Sequence, residues 1–143
     1  MLNWLIIHRR TILSILIIVP LGFATKFYRG PAAGWVNNSL GGVLYEMFWC
    51  LLLFLFFSRA KLWKIVSIVF GITCLLELLQ LWKPPLLELI RSSFIGRTLI
   101  GNSFVYSDFF YYIIGCGIGW LWLWALQQKN FSSQMRREGQ KEF

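Results

Sequence analysis

Four runs of apolar residues constrain the fold of this chain more than any other feature. Each run approaches the roughly 20 apolar residues that a helix needs to cross a bilayer. In lipid, a helix satisfies its backbone hydrogen bonds internally, whereas an open sheet edge leaves them unsatisfied. The sequence therefore predicts an all-α fold, an integral membrane four-helix bundle with spans at residues 11–27, 40–57, 63–82 and 107–126.

Composition supports a membrane protein and narrows its partners. Hydrophobic residues make up 57% of the 143 residues and charged residues 14%, against roughly 25% charged residues in a soluble domain. The net charge is +8, and the positively charged residues flank the apolar runs. This pattern is typical of membrane orientation and of contact with anionic head groups. We therefore expect membrane lipids as partners and no nucleic acid.

The three cysteines, Cys50, Cys74 and Cys116, all lie within apolar runs. None has the spacing of metal ligands, and the sequence contains no phosphate-binding glycine loop or dinucleotide fingerprint. Free cysteine packs as a small apolar side chain. We expect no metal site and no cofactor.

Lysine and arginine residues near the span ends predict the orientation. Nine of them lie at the N-terminus, between the second and third spans and in the tail, and five lie on the opposite side. Because the positive excess marks the cytoplasmic side, we predict a multi-pass protein of the bacterial inner membrane with both termini in the cytoplasm. A cleaved signal peptide is the alternative for the first run, but no small-residue cleavage site follows it, so we expect a retained span.

The chain is predicted to divide into two parts. Residues 1–128 form the four-span transmembrane domain, and residues 129–143 form a polar, basic cytoplasmic tail. Because the tail has few apolar residues with which to build a core, we expect it to be disordered or interfacial.

The connection between the third and fourth spans is predicted to hold a short amphipathic surface helix. The stretch "PPLLELIRSSFIG" begins with prolines, which the first turn of a helix tolerates, and places its large apolar side chains at helical spacing. A turn is expected at Gly101 and Asn102. A partly re-entrant loop is the alternative.

An acidic residue in the third span requires a partner. Glu77 and Gln80 are three positions apart and share one helix face, in the outer third of the bilayer. An ionised carboxylate at that depth costs a few kcal/mol unless it is paired, hydrated or protonated. We predict that this carboxylate pairs with Arg91, Arg97 or Lys26 in an outward-facing pocket, a structural salt-bridge cluster being the alternative. The candidate pocket residues are Lys26, Tyr28, Tyr45, Glu77, Gln80, Arg91, Arg97, Asp108 and Tyr112.

Two glycines in the fourth span suggest a helix contact. Gly115 and Gly119 are four positions apart in "GCGIG", and small residues at this spacing let two helices approach closely. We expect them to pack helices within the bundle. A homo-oligomer joined through this face is the alternative.

Several ordered blocks of the chain resemble a known family. The stretches "PLGFATKFYRG", "ELLQLW" and "GNSFVYSDFFYYIIG" are similar to the domain of unknown function 2809 family of small bacterial membrane proteins. The resemblance implies a multi-pass membrane fold and no established activity.

Part of the pattern is also similar to the VanZ-like family, named for teicoplanin resistance. In that family a Glu-x-x-Gln pair precedes an arginine, an aspartate, an asparagine and a glycine. Tyr112 stands at the place of the asparagine, and the interval from arginine to aspartate is longer here. The resemblance implies that the matching residues act as a set, without carrying over a resistance phenotype. The matching positions are Glu77, Gln80, Arg91, Asp108 and Gly115.

Four classes of function remain open from the sequence. A binding protein would hold the anionic head of a lipid, or of a lipid-linked envelope ligand, with arginine side chains. An enzyme acting on such a lipid would use Glu77 or Asp108 as general base, but no nucleophile or metal is present and the sequence favours no enzymatic activity. A proton-linked transporter would use Glu77 as a relay, although the inner half offers no matching polar path. A structural or assembly subunit would use the glycine face.

Overall fold

The computed structural model describes residues 2–100 and 105–142, and these are predominantly helical. Four helical segments are long and apolar enough to cross a membrane, which confirms the predicted all-α membrane bundle. The helices are α1 at Leu2–Phe27, α2 at Ala33–Phe56, α3 at Leu62–Leu79, α4 at Pro85–Arg91, α5 at Phe94–Ile100 and α6 at Tyr106–Lys141.

The second helix begins earlier than the apolar pattern predicts. Its first turn, Ala33–Trp35, leads into a π-helical segment, Val36–Leu40, before the regular helix Gly41–Phe56. Two asparagines and a serine in this segment resemble a loop in the sequence, because these residues favour turns. In the structure these residues form the π-helical segment, which packs against α1. Ala32, which precedes α2, has a left-handed backbone with φ 58°.

The other three long helices pack around α2. This helix contacts α1, α3 and α6, and α6 also packs on α3. The core of α2 is a face of Val43, Met47, Cys50 and Phe54, whose spacing of three to four residues matches one side of a helix. In contrast, α1 and α3 form no packed interface with each other in the described chain.

Side-chain contacts give the direction of the helices. Lys26, near the end of α1, donates to the carbonyl of Asn37 near the start of α2 over 3.2 Å. Trp122, well past the start of α6, donates from Nε1 to Ser14 Oγ in the middle of α1 over 3.0 Å. The bundle therefore runs up, down, up and down, and the two chain termini lie at the same end.

The half of the bundle near the termini contains buried polar groups. His8, Thr11 and Ser14 are buried along one face of α1. Their spacing of three residues places them on the side that faces the bundle interior. The expectation that this half offers no polar path remains a prediction, because buried polar residues on one helix do not by themselves form a path.

The connection between α3 and α6 contains two short helices where one was predicted. Ser93 separates them: its Oγ accepts the Gly96 amide over 3.0 Å as an N-cap of α5 and donates to the Ile90 carbonyl over 2.9 Å. A side chain at Gly96 would overlap that carbonyl, so glycine permits the sharp bend. The turn predicted at Gly101 and Asn102 lies outside the described residues.

The polar tail is not disordered. The last helix continues without a break from the fourth span to Lys141, and its last residues are largely exposed. A helix that has already been nucleated by a packed span can extend into a polar segment, since each further residue adds a backbone hydrogen bond. The alternative, an interfacial position for this segment, remains a prediction.

Candidate ligand-binding cavity

A cavity of about 530 Å³ lies at the end of the bundle opposite the chain termini. This volume is within the roughly 300–1,000 Å³ of typical small-molecule sites. The end of α1, the start of α2, the end of α3 and the start of α6 surround the cavity, and α5 lies across it. The candidate residues that line it are Lys26, Tyr45, Glu77, Gln80, Arg97, Asp108 and Tyr112.

Glu77 is the buried centre of the polar wall and is only 1% exposed. Its Oε2 accepts hydrogen bonds from Gln80 Nε2 over 2.9 Å and from the Tyr112 hydroxyl over 3.0 Å. Its Oε1 accepts the Val105 backbone amide over 2.9 Å. Gln80 lies one turn further along α3, and the other donors belong to α6 and the residue before it. The carboxylate therefore joins α3 to α6.

The ion pair predicted for Glu77 is not formed. Among the described residues, the one ion pair within 4.0 Å joins Arg91 to Glu88, at 3.9 Å. Neutral donors satisfy Glu77 instead, in keeping with the rule that buried polar groups find hydrogen-bond partners. Amide and hydroxyl groups of the protein therefore stabilise the carboxylate within this apolar span.

Two cations lie at the edge of the cavity. Lys26 donates from Nζ to the Asn37 carbonyl and interacts electrostatically with Asp108. Arg97 is exposed, and its guanidinium has no hydrogen-bond or ion-pair partner among the described residues. Arg97 is therefore the cation of the cavity that is available to a further anion.

The cap over the cavity is α5, which is fastened at two points. The Tyr45 hydroxyl donates to the Leu99 carbonyl over 2.6 Å. The Phe94 ring stacks on Phe27 and Phe23, with centroid separations of 5.8 Å and 6.4 Å. Tyr45 and the two rings of α1 thus hold Arg97 above the cavity mouth.

Two candidate residues lie outside the cavity lining. Arg91 is 5% exposed and donates from Nη2 to the Leu79 carbonyl over 3.3 Å. A cation at the carboxyl end of a helix is stabilised by the helix dipole, so Arg91 fastens α4 to the end of α3. Tyr28 lies in the loop after α1, where its ring covers Gly30.

A second carboxylate, Glu46, lies among the helices below the cavity and is 0% exposed. The Cys116 thiol donates to its Oε2 over 3.1 Å, so this cysteine does more than fill space. Glu46 Oε1 has no hydrogen-bond partner in the described chain. Burying a polar atom in this way is costly, which singles out Glu46 as unusual for a core position.

The two glycines of α6 lie directly against α2. A Cβ at Gly115 would lie 2.7 Å from Glu46 Cβ, and one at Gly119 would lie 3.2 Å from Cys50 Sγ. Both distances are shorter than ordinary carbon contacts. The glycines thus allow α6 to approach α2 within one chain, and this face is already occupied.

Sequence reasoning missed Thr73, which is buried and lines the cavity. Thr73, Glu77 and Gln80 are spaced by four and three residues, so the helical period places them on one face. That spacing could have identified Thr73. The contribution of Asn38 and Gly22 could not have been found in this way, since neither carries a distinctive pattern.

Comparison with known proteins gives one match. A family model described as "Protein of unknown function (DUF2809)" matches residues 32–116. The matched region begins just before α2 and includes every lining residue of α3 and α5, but not Lys26 of α1. No curated protein and no solved structure matches the chain.

Proposed function

Because the chain belongs to this family of unknown function (DUF2809), we infer its function from the cavity. We propose that the protein is a membrane-embedded binding protein for an anionic head group. The ligand is an anionic lipid or a lipid-linked molecule of the cell envelope. Arg97 holds its phosphate or carboxylate, with Lys26 as the second cation.

The observation that carries this proposal is the guanidinium of Arg97, which lies at the mouth of the cavity and has no hydrogen-bond or ion-pair partner among the described residues. A guanidinium offers a planar fork of donors that matches phosphate and carboxylate. Glu77 repels such an anion less than its charge suggests, because three protein donors already bind its oxygens. Tyr112 and Gln80 hold that carboxylate back from the ligand.

The location we propose is the bacterial inner membrane, with both termini in the cytoplasm. The cavity lies at the opposite end of the bundle from the termini, so it opens towards the outer leaflet in this orientation. The likeness to the VanZ-like family agrees with an envelope ligand at this side. This likeness remains a prediction, and it carries no resistance phenotype over to this chain.

Thermal unfolding of the purified protein in neutral detergent tests the proposal. Phosphatidylglycerol should raise the melting temperature, and phosphatidylcholine at the same concentration should not, because a ligand that binds the native state stabilises it. Arg97→Ala should remove the difference between the two lipids.

Arg29→Ala is the matched control. Arg29 lies at the same end of the bundle, is exposed and does not line the cavity, so this variant removes an equal charge from the same face. If Arg29→Ala abolishes the selectivity as completely as Arg97→Ala, general surface charge explains the binding and the cavity proposal fails.

Proton-linked transport is the second candidate, and buried polar groups favour it. Among the described residues, one oxygen of Glu46 has no hydrogen-bond partner in the core, and His8, Thr11 and Ser14 of α1 are buried in the other half of the bundle. Ionisable groups within membrane spans commonly mark proton paths. Proteoliposomes with an internal pH dye should then show proton flux that Glu46→Gln removes; wild-type liposomes as tight as empty ones would reject transport.

A further inference from the structure

The cavity continues into the membrane-spanning part of the bundle as a cleft between α1 and α3. These two helices each pack on α2 but form no packed interface with each other in the described chain. The cleft between them has Ile18 and Gly22 on one wall, Thr73 and Leu76 on the other, and Phe48 of α2 as its floor. An unfilled cleft of this kind faces the lipid phase and not water.

Polarity changes along the cleft in one direction. Lys26 marks its polar end, and Ile18, eight positions earlier on α1, lies about 12 Å deeper at 1.5 Å per residue. The walls below the level of Glu77 are mainly apolar. Such a site offers cations that can bind an anionic head group and apolar side chains that can contact a hydrocarbon chain attached to that head group.

From this polarity we infer that the ligand is an amphiphile whose hydrocarbon chain enters sideways from the bilayer and lies between α1 and α3 along Gly22. This inference rests on the proposed function and specifies the substrate class of the same site. It excludes a free, water-soluble anion as the natural ligand, because such a ligand would leave the apolar part of the cleft empty.

Gly22 provides the means to test the chain-binding part of the site separately from the head-group part. A Cβ built on Gly22 meets no atom within 4 Å, and Gly22 lines the cavity, so a side chain at this position starts in open space beside the cleft. Gly22→Trp should fill the space between α1 and α3, and Gly22→Leu should fill part of it. Arg97 is untouched in both variants.

The control is Gly117→Trp. Gly117 also lies on a membrane-spanning helix with open space around a Cβ, but it is exposed on α6 and does not line the cavity. The control therefore adds the same bulk to the lipid-facing surface without entering the cleft.

Two probes with the same head chemistry are compared by thermal unfolding: hexadecyl phosphate, which carries a chain, and glycerol phosphate, which does not. We expect hexadecyl phosphate to stabilise wild type and Gly117→Trp, and glycerol phosphate to stabilise neither. Gly22→Trp should lose the rise in melting temperature, and Gly22→Leu should lose part of it. Correct folding of each variant is checked by its unliganded melting curve, and Gly22→Leu carries the test if Gly22→Trp does not fold.

The failures are distinguishable. If glycerol phosphate stabilises wild type as well as hexadecyl phosphate does, and Arg97→Ala abolishes both effects, the lateral chain site is wrong and head-group binding stands. The same conclusion follows if folded Gly22→Leu and Gly22→Trp bind hexadecyl phosphate as wild type does. If neither probe raises the melting temperature of wild type and phosphatidylglycerol does not raise it either, both the lateral chain site and the proposed head-group binding are wrong. A wild-type dimer that Gly22→Trp converts to monomers would show that a second copy fills the cleft, and would also overturn the inference.

Discussion

Replacing Tyr112 by phenylalanine tests whether neutral hydrogen bonds hold the buried carboxylate of Glu77. The change removes the hydroxyl that donates to Glu77 Oε2 over 3.0 Å and keeps the aromatic ring. The carboxylate retains Gln80 Nε2 and the Val105 amide, each at 2.9 Å. Tyr112→Phe should therefore weaken the contact between α3 and α6 without breaking it.

The expected magnitude follows from burial and from the number of donors. Hydrogen bonds between membrane helices contribute about 0.6 kcal/mol on average and about 1.7 kcal/mol at most. Because the acceptor is a buried carboxylate, we expect a loss of about 1–2 kcal/mol in the free energy of unfolding for Tyr112→Phe. Glu77→Ala leaves one buried donor, on Gln80, and two partly buried donors, on Tyr112 and Val105, without their acceptor, and should cost about 2–4 kcal/mol.

A double-mutant cycle in mixed detergent micelles measures the coupling between the two residues. Once Glu77 is alanine, removing the Tyr112 hydroxyl should cost almost nothing, which gives a coupling energy of about 1–2 kcal/mol. Tyr111→Phe is the control. The Tyr111 hydroxyl accepts a hydrogen bond from Trp35 Nε1 over 3.0 Å and does not contribute to the hydrogen bonds of Glu77. Equal costs of Tyr112→Phe with and without Glu77 would refute the hydrogen-bonded account of the carboxylate.

Three further changes test the helix packing, the attachment of α4 and the loop before α2. Gly115→Ala forces a Cβ to 2.7 Å from that of Glu46 and should lower the unfolding free energy by about 1–3 kcal/mol. Gly117→Ala places its Cβ in open space and should not lower it. Equal melting curves for the two variants would contradict the close contact. Arg91→Ala should speed amide hydrogen exchange in α4 while leaving lipid selectivity intact, and unchanged exchange would show that α4 does not need this contact. Ala32→Gly should raise stability by about 0.5–1 kcal/mol in thermal unfolding, because glycine adopts the left-handed backbone without the penalty that alanine meets; a loss of stability would contradict that backbone conformation.

The sequence predicted the helices well because hydrophobic length determines them. A membrane span must keep its backbone bonds internal and its surface apolar, so four apolar runs were sufficient to predict four spans. The predicted third span, residues 63–82, agrees with α3 at Leu62–Leu79 apart from its last turn. The start of α2 and the length of α6 were missed, because polar residues beside a span do not reveal whether the helix continues.

The sequence grouped most of the candidate residues that line the cavity, but it did not predict their hydrogen bonds. Depth in the membrane could be read from position along each span, so residues at one level, such as Glu77, Gln80 and Tyr112, could be grouped. Whether a buried carboxylate is held by a cation or by neutral donors depends on how the helices rotate about their axes. It also depends here on the backbone amide of Val105, which no side-chain pattern encodes. For the same reason Arg91 was expected in the pocket, although it binds the end of α3.

Native mass spectrometry of the protein extracted with its own membrane lipids tests the central claim most directly. Our account predicts one tightly retained anionic amphiphile per wild-type chain, with markedly lower occupancy in Arg97→Ala and in Gly22→Trp and normal occupancy in Arg29→Ala. Chains that carry no lipid, or that carry zwitterionic and anionic lipids in the proportions of the membrane regardless of these substitutions, would contradict it.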